Sequence, residues 1–158
     1  MAKWKKMRDK PEFVEVLLQI AIPGAFPYTT AENICGTLRG TVAAPKDGSQ
    51  NHHIWQIYTN GNGKAVGSFW IGIHKIHGDW QIPSQDRATA ASLDWGKSFG
   101  YGKVINTFWA PRQPSGCCGG PNVSCVISNY NKNSQWDDAS CTIKAGVVCQ
   151  RYAFQPVC

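Results

Sequence analysis

The feature that most constrains how this chain folds is the clustering of its cysteines toward the C-terminus. Seven cysteines are present, and six of them fall within the last 42 residues. Cys35 stands alone near the start, and the others are Cys117, Cys118, Cys125, Cys141, Cys149 and Cys158. Such density is typical of a disulfide framework made in an oxidising compartment. Structural zinc is disfavoured because no Cys-x-x-Cys pair occurs. The odd number leaves one thiol free or bonded to another chain.

Length and composition favour one folded domain. The chain has 158 residues, of which 42% are apolar, and this argues against a disordered protein. The longest apolar stretch, residues 13–22, contains Glu15 and Gln19 and is shorter than the roughly 20 residues that span a bilayer. No internal repeat or domain boundary is visible, so residues 13–158 are expected to form a single domain without a membrane span.

The net charge of +6 is concentrated at the start of the chain. Residues 1–10 hold five Lys or Arg and one Asp, hence +4, which leaves +2 for the remaining 148 residues. We therefore expect residues 1–12 to form a basic arm outside the domain. A nucleic-acid partner is not expected, because the body is weakly basic and carries no nucleic-acid-binding motif.

The expectation of a secreted protein rests on the cysteines. Glu12 and Glu15 interrupt the apolar stretch that would follow the basic residues in a signal peptide. Asn122-Val123-Ser124 is an N-glycosylation sequon and predicts a glycoprotein, although so short a motif often occurs by chance.

The first third of the chain predicts a strand and two helices. Residues 13–20 are rich in β-forming residues, and Pro23-Gly24 is expected to break that strand. Thr29-Thr30-Ala31-Glu32 has the form of a capping box at a helix start. One buried helical face is then expected, ending near Gly40; it consists of Ala31, Ile34, Cys35 and Leu38. A second helix is predicted from Ser49 to Asn60-Gly61.

The rest of the chain predicts short strands around a long loop. Ser68–Ile73 predicts a strand, and the aromatic-rich residues 78–116 predict a long ordered loop. Residues 125–127 and 146–149 predict two short closing strands. His52 and His53 are interpreted as surface or rim residues. His74 and His77 are not expected to hold a metal, because no third ligand is evident.

The order of these features resembles the C-type lectin-like domain from about residue 28 to residue 152. The motifs that carry the resemblance are Cys35, Trp70-Ile71-Gly72-Ile73, Gln113-Pro114-Ser115, Cys125, Trp136-Asp137-Asp138, Cys141 and Cys149. The family implies an α+β fold in which two helices flank small antiparallel sheets with a long irregular loop. It also implies the disulfides Cys35–Cys149 and Cys125–Cys141. The pairing of the other three cysteines stays open. Either Cys158 pairs with Cys117 or Cys118, which leaves the other free or available to link a homodimer, or Cys117 and Cys118 form a strained vicinal bond.

The resemblance also implies a sugar site built on one calcium ion. Gln113 and Ser115 would flank a cis Pro114, and Asp137 and Asp138 would supply further oxygen ligands. Gln-Pro at this place is similar to the galactose-type motif. Gln113, Ser115 and Asp137 would also contact the sugar, with Tyr130 as the aromatic candidate. Three departures weaken the calcium site. Ser115 replaces an Asp or Asn, no acidic residue stands shortly before Cys125, and the segment from Gln113 to Cys125 is longer than usual in the family.

Two functions from different classes remain open. The first is a calcium-dependent lectin that prefers glycans with terminal galactose-like sugars. The second is a calcium-independent domain of the same fold that binds a protein or another non-sugar ligand. An enzyme is not expected, because no nucleophile–His–acid arrangement, catalytic carboxylate pair or phosphate loop is visible.

Overall fold

The computed structural model describes residues 12–61, 67–83, 101–104, 106–116, 123–129 and 133–157. The predictions for the basic arm before Glu12, for Asn122, for Tyr130 and for Cys117, Cys118 and Cys158 fall outside these residues. Glu12, which the sequence placed at the end of the arm, is the first residue of the opening strand. Neither described helix is long and apolar enough to cross a membrane.

Two helices and eight strands are found in the described parts of the chain. The helices are α1 (Tyr28–Thr37) and α2 (Gly48–Gly61). The strands are β1 (Glu12–Phe26), β2 (Thr41–Val42), β3 (Phe69–Ile76), β4 (Asp79–Pro83), β5 (Tyr101–Lys103), β6 (Val123–Ser128), β7 (Trp136–Ser140) and β8 (Ala145–Val157). This is the α+β architecture that the resemblance implies. The second helix begins one residue before its predicted start and ends at the predicted Gly61.

The two ends of the domain pair with each other. β1 lies antiparallel to β8, with Glu12 opposite Val157 and Ile22 opposite Val147. The prediction that Pro23-Gly24 ends β1 is wrong. The strand continues past these residues with a register shift, after which Phe26 pairs with Ala145. The closing strand is 13 residues long rather than short, because the whole of β1 supplies it with a partner.

β3 lies at the centre of the second group of strands. It pairs antiparallel with β4 and β6 and pairs in parallel with β8 at Phe69 and Gly146. β6 in turn pairs antiparallel with β7. The β3–β4 hairpin turns at His77 and Gly78, whose φ angles of 50° and 84° are those of a type I′ turn. The prediction of one loop over residues 78–116 is therefore wrong for β4 and β5.

Helix α1 starts earlier than the predicted capping box. Its N-cap is Pro27, which forms no side-chain cap, and the amide of Tyr28 donates to the carbonyl of Cys141 at 3.0 Å. At the other end Gly40 N–H bonds Cys35 O and Arg39 N–H bonds Gly36 O, which is a Schellman motif. Leu38 is the C-cap and is 44% exposed, so its predicted place on the buried face is wrong.

Two disulfides and a core that contains two buried tryptophans hold the helices and strands together. Cys35 bonds Cys149, tying α1 to β8, and Cys125 bonds Cys141, tying β6 to the turn after β7. These are the pairings that the resemblance implies. The first spans 114 positions, which in the chain-entropy model stabilises the fold by about 4 kcal/mol. Trp70 and Trp136 are fully buried, and the Trp70 indole donates to the carbonyl of Phe26 at 2.7 Å.

Candidate functional site

The candidate site begins with the way β7 is fixed in the core. The indole of Trp136 donates to Asn51 Oδ1 at 2.8 Å, and the Asn51 amide donates to the carbonyl of Ser134 at 2.9 Å. Both residues are buried, so α2 is joined to the start of β7 by satisfied polar groups. The rings of Phe108 and Trp109 pack edge-on against Trp136, with centroids 5.3 and 5.6 Å away.

The loop that carries Gln113 runs beside β7. Trp136 N–H donates to Phe108 O and Ala110 N–H donates to Trp136 O, both at 2.9 Å. A turn follows, closed by the 3.0 Å bond from Gln113 N–H to Ala110 O. Pro111 at its second position and Arg112 with φ of 67° at its third are the features of a type II turn. This turn directs the chain from the core toward Asp138.

Asp138 holds the end of this loop against β7. Its Oδ1 accepts the amide of Ser115 at 3.1 Å, and its Oδ2 accepts the amide of Gly116 at 2.8 Å. The Ser115 amide also donates to Gln113 Oε1 at 3.0 Å, and the Gln113–Pro114 peptide bond is cis. Asp138 is only 7% exposed, so two backbone amides hold a buried carboxylate in place of water.

Asp137 adds a second carboxylate next to the first. The pKa of its side chain is raised from 3.8 to about 6. Burial is the largest cause, and the side-chain hydrogen bond to Asp138 and the negative charge of Asp138 act in the same direction, while the backbone of Asp138 lowers the pKa. A cation bound here would relieve this repulsion, because an opposite charge favours the ionised form.

The available donors suit a hard cation. The side-chain acceptors of Gln113, Ser115, Asp137 and Asp138 are all oxygen atoms, because the amide nitrogen of Gln113 only donates. Oxygen is the ligand type that calcium takes. Four side chains fall short of six to eight ligands, so water or ligand hydroxyls would complete the shell. Among the described residues, no three His, Cys, Asp or Glu side chains form a metal-binding group.

The structure brings three of the four sequence-predicted ligands into direct contact and places the fourth beside them. The backbone amide of Ser115 donates both to Gln113 Oε1 and to Asp138 Oδ1. Asp137 adjoins Asp138. Tyr130 lies outside the described residues. Sequence reasoning did not find Gly116 or Asn51: a backbone amide leaves no signal in a sequence, and an isolated Asn in a helix rarely indicates a partner 85 positions away.

The four histidines lie on other elements. His74 Nε2 contacts Glu32 Oε1 at 3.2 Å, and its ring packs against Tyr28 at a centroid distance of 4.3 Å. His53 Nδ1 contacts Gln19 Oε1 at 2.9 Å, and His52 stacks on Trp55. His77 occupies the β3–β4 turn. None of these contacts includes a residue of the candidate site.

Solved structures with this fold include several lectin domains. C-type lectin CEL-I from Cucumaria echinata is 16% identical, with a TM-score of 0.65 and coverage of 88% of this chain and 91% of that one. The mouse scavenger receptor C-type lectin carbohydrate-recognition domain is 17% identical, with a TM-score of 0.62 and coverage of 91% and 94%. A Ca2+-dependent type II antifreeze protein is 16% identical, with a TM-score of 0.64 and coverage of 90% and 98%.

Similarity at this level of identity shows the fold alone. No curated protein matches the sequence. The model of the family described as the lectin C-type domain, however, matches residues 25–151, which is most of the chain. The chain therefore belongs to the C-type lectin domain family.

Proposed function

We propose that this domain binds carbohydrate through one calcium ion held by Gln113, Ser115, Asp137 and Asp138. The observation that carries the proposal is the double hydrogen bond from the amides of Ser115 and Gly116 to the Asp138 carboxylate. These bonds hold the backbone of the Gln113 loop against β7 in the absence of a ligand. Such preorganisation lowers the cost of binding.

The ion would be held by oxygen atoms of both segments. Asp137 and Asp138 would supply negative charge, and Gln113 and Ser115 would supply neutral oxygens. Each carboxylate oxygen of Asp138 can accept more than the one amide bond that it already has. Bound calcium would supply a Lewis-acidic centre for two sugar hydroxyls.

A galactose-type preference follows from Gln113. An amide side chain both donates and accepts hydrogen bonds, whereas a carboxylate at the same position only accepts. The sequence Gln113-Pro114 is similar to the galactose-type motif of the family. The partner proposed is a glycan with a terminal galactose-like sugar, contacted also by Ser115, Asp137 and Tyr130.

A calcium-independent role in binding a protein or another non-sugar ligand is the second candidate. The Asp138 carboxylate already has two backbone donors, so it can act as a purely structural link between loop and strand. Only two carboxylates are present among the proposed ligands, and this favours weak calcium affinity.

The setting proposed for either function is extracellular. The disulfides Cys35–Cys149 and Cys125–Cys141 suit an oxidising compartment, and the sequon at Asn122 would carry a glycan. An unpaired thiol among Cys117, Cys118 and Cys158 would allow a disulfide-linked homodimer. No enzymatic activity is proposed.

Retention on a galactose resin tests the function. The protein should be retained in calcium and released by EDTA, and Gln113→Ala should abolish retention, while Gln56→Ala, which removes an exposed glutamine of α2, should not. Retention that persists in EDTA would exclude calcium dependence, and absence of retention in both buffers would exclude the galactose preference. Unaltered retention of Gln113→Ala would reject the site assignment.

A further inference from the structure

A second surface feature of this domain is an apolar pocket between the end of α1 and β1. Four large apolar side chains are markedly exposed in the described part of the chain, and three of them, Leu18, Ile20 and Leu38, line one pocket of about 280 Å³. Their exposed fractions are 37%, 56% and 44%. The fourth, Ile143, lies elsewhere at 43%. Because exposed apolar groups that converge in one concavity mark binding sites more often than scattered ones do, this feature, here called the Leu38 pocket, suggests a docking role.

The walls of the Leu38 pocket are fixed by the fold. Ile20 pairs with Cys149 and Leu18 with Arg151, so these four side chains lie on one face of the β1–β8 ladder. Cys149 is bonded to Cys35 of α1, which identifies this as the α1 face. A Cβ atom on Gly40 would lie 2.2 Å from the carbonyl oxygen of Gln150, so the glycine allows the end of α1 to approach β8 closely.

The charged residues that the structure describes at the pocket are both arginines. Arg151 is exposed and lines the pocket, and Arg39, also exposed, lies between Leu38 and Gly40. Among the described residues that line the pocket there is no Asp or Glu. An apolar group flanked by a carboxylate would therefore be complementary to this surface in both shape and charge.

We propose that the Leu38 pocket docks an extended acidic segment of a partner protein. An apolar side chain of the segment inserts between Leu38 and the Leu18–Ile20 pair, and a neighbouring carboxylate contacts Arg151. β1 stands at the edge of its sheet, a position that suits an extended peptide. A second copy of the chain is disfavoured by the net charge of +6, and the chain's own residues 1–10 by their charge of +4. The pocket shares no residue with the proposed calcium site, so the inference is independent of the sugar-binding proposal.

Methyl NMR on the full chain, labelled with ¹³C at Leu and Ile methyl groups and kept in EDTA, tests the proposal. The probe is the peptide acetyl-Glu-Leu-Glu-Leu-Glu-amide. It should shift the methyl resonances of Leu18, Ile20 and Leu38 saturably and leave Ile143 unchanged. The peptides acetyl-Lys-Leu-Lys-Leu-Lys-amide and acetyl-Glu-Ser-Glu-Ser-Glu-amide should produce no saturable shift, because the first has the wrong charge and the second lacks apolar side chains.

Matched variants separate the pocket from general surface effects. Arg151→Glu should weaken peptide binding about tenfold, because it replaces an attractive contact by a repulsive one, and Lys144→Glu should leave binding unchanged. Leu38→Ser should weaken binding, and Ile143→Ser, which removes a side chain of nearly equal exposure, should not. Unchanged methyl resonances of the buried Ile54 and Ile71 verify that each variant is folded.

Several outcomes would overturn the proposal. They are the absence of pocket shifts with the acidic peptide, equal shifts with the lysine peptide, and equal affinity of Arg151→Glu. Pocket resonances that depend on protein concentration would assign the pocket to a second copy. Resonances that move when residues 1–10 are deleted would assign it to the chain's own arm. Shifts produced by phosphatidylglycerol vesicles but not by the peptide would assign it to a lipid surface.

Discussion

The backbone amide of Gly116 donates to Oδ2 of Asp138 at 2.8 Å across 22 positions of sequence. Asp138 belongs to β7, which is fixed in the core through Trp136, whereas Gly116 ends the described part of the Gln113 loop. A buried carboxylate of the core therefore sets the position of a surface loop. The loop would be expected to lose its order if this acceptor were removed.

Asp138→Ala should lower the free energy of unfolding by about 2 kcal/mol, because the amides of Ser115 and Gly116 lose a charged acceptor. Denaturant unfolding in EDTA measures this loss, and amide hydrogen exchange at Ser115 and Gly116 should accelerate. Asp79→Ala, which removes an exposed carboxylate of β4, should change neither quantity. If the exchange rates of Asp138→Ala equal those of the wild type, the two hydrogen bonds do not order the loop.

Asp137→Asn should stabilise the calcium-free domain at neutral pH. The pKa of Asp137 is raised from 3.8 to about 6, so the folded state binds more protons than the unfolded state between these values. Stability conferred by this carboxyl group is therefore present at low pH and lost as the pH rises through about 6. Since Asp137 is only partly buried, we expect a gain of about 1 kcal/mol for the variant after allowing for solvent screening.

Denaturant unfolding of the wild type and Asp137→Asn at pH 3.5 and pH 7.5, both in EDTA, measures that gain. The two proteins should have similar stability at pH 3.5, where Asp137 is mostly protonated in both states, and should differ at pH 7.5. Asp79→Asn serves as the control and should show no such difference. A variant that is less stable than the wild type at pH 7.5 would refute the assigned repulsion.

Gly72→Ala and Gly36→Ala should change stability in opposite directions. A Cβ atom at Gly72 would lie 2.2 Å from the carbonyl oxygen of Val42, whereas nothing lies within 4 Å of one at Gly36. We expect Gly72→Ala to cost at least about 3 kcal/mol through a forced backbone shift. Gly36→Ala should raise the free energy of unfolding by about 0.5–1 kcal/mol, because alanine loses less conformational entropy than glycine when α1 folds. Thermal unfolding of both variants measures these changes. Equal stability of the two variants would contradict the close approach of β3 to Val42.

Local patterns in the sequence predicted the elements whose limits are set locally. Asn60-Gly61 is a strong stop signal, and α2 ends there. The start of α1 differs from the prediction because Tyr28 N–H, at the first position of the helix, is satisfied by Cys141 O, a partner 113 positions away. The helix therefore begins before Thr29 and without a side-chain cap. β8 was predicted too short for the same reason: its second half is ordered by pairing with β1, and its sequence contains Pro156.

The candidate site was accessible from sequence only through the family motifs. Gln113-Pro114-Ser115 and Trp136-Asp137-Asp138 could be placed together because the resemblance relates them. Their distance, burial and hydrogen bonds depend on the β6–β7 pairing and on the buried contact between Trp136 and Asn51. The two hydrogen bonds to Asp138 could not be predicted from the pattern of side chains, because main-chain amides donate them.

The central claim is that the Gln113 loop and the two aspartates form one calcium-dependent sugar site. Its most direct test is a calcium titration of the ¹⁵N-labelled protein, followed by galactose, with the amide resonances of Ser115 and Gly116 observed by NMR. We predict saturable shifts of both resonances with one calcium per chain, and further shifts with galactose only when calcium is present. If calcium leaves both resonances unchanged, or if galactose shifts them equally in EDTA, the claim is contradicted.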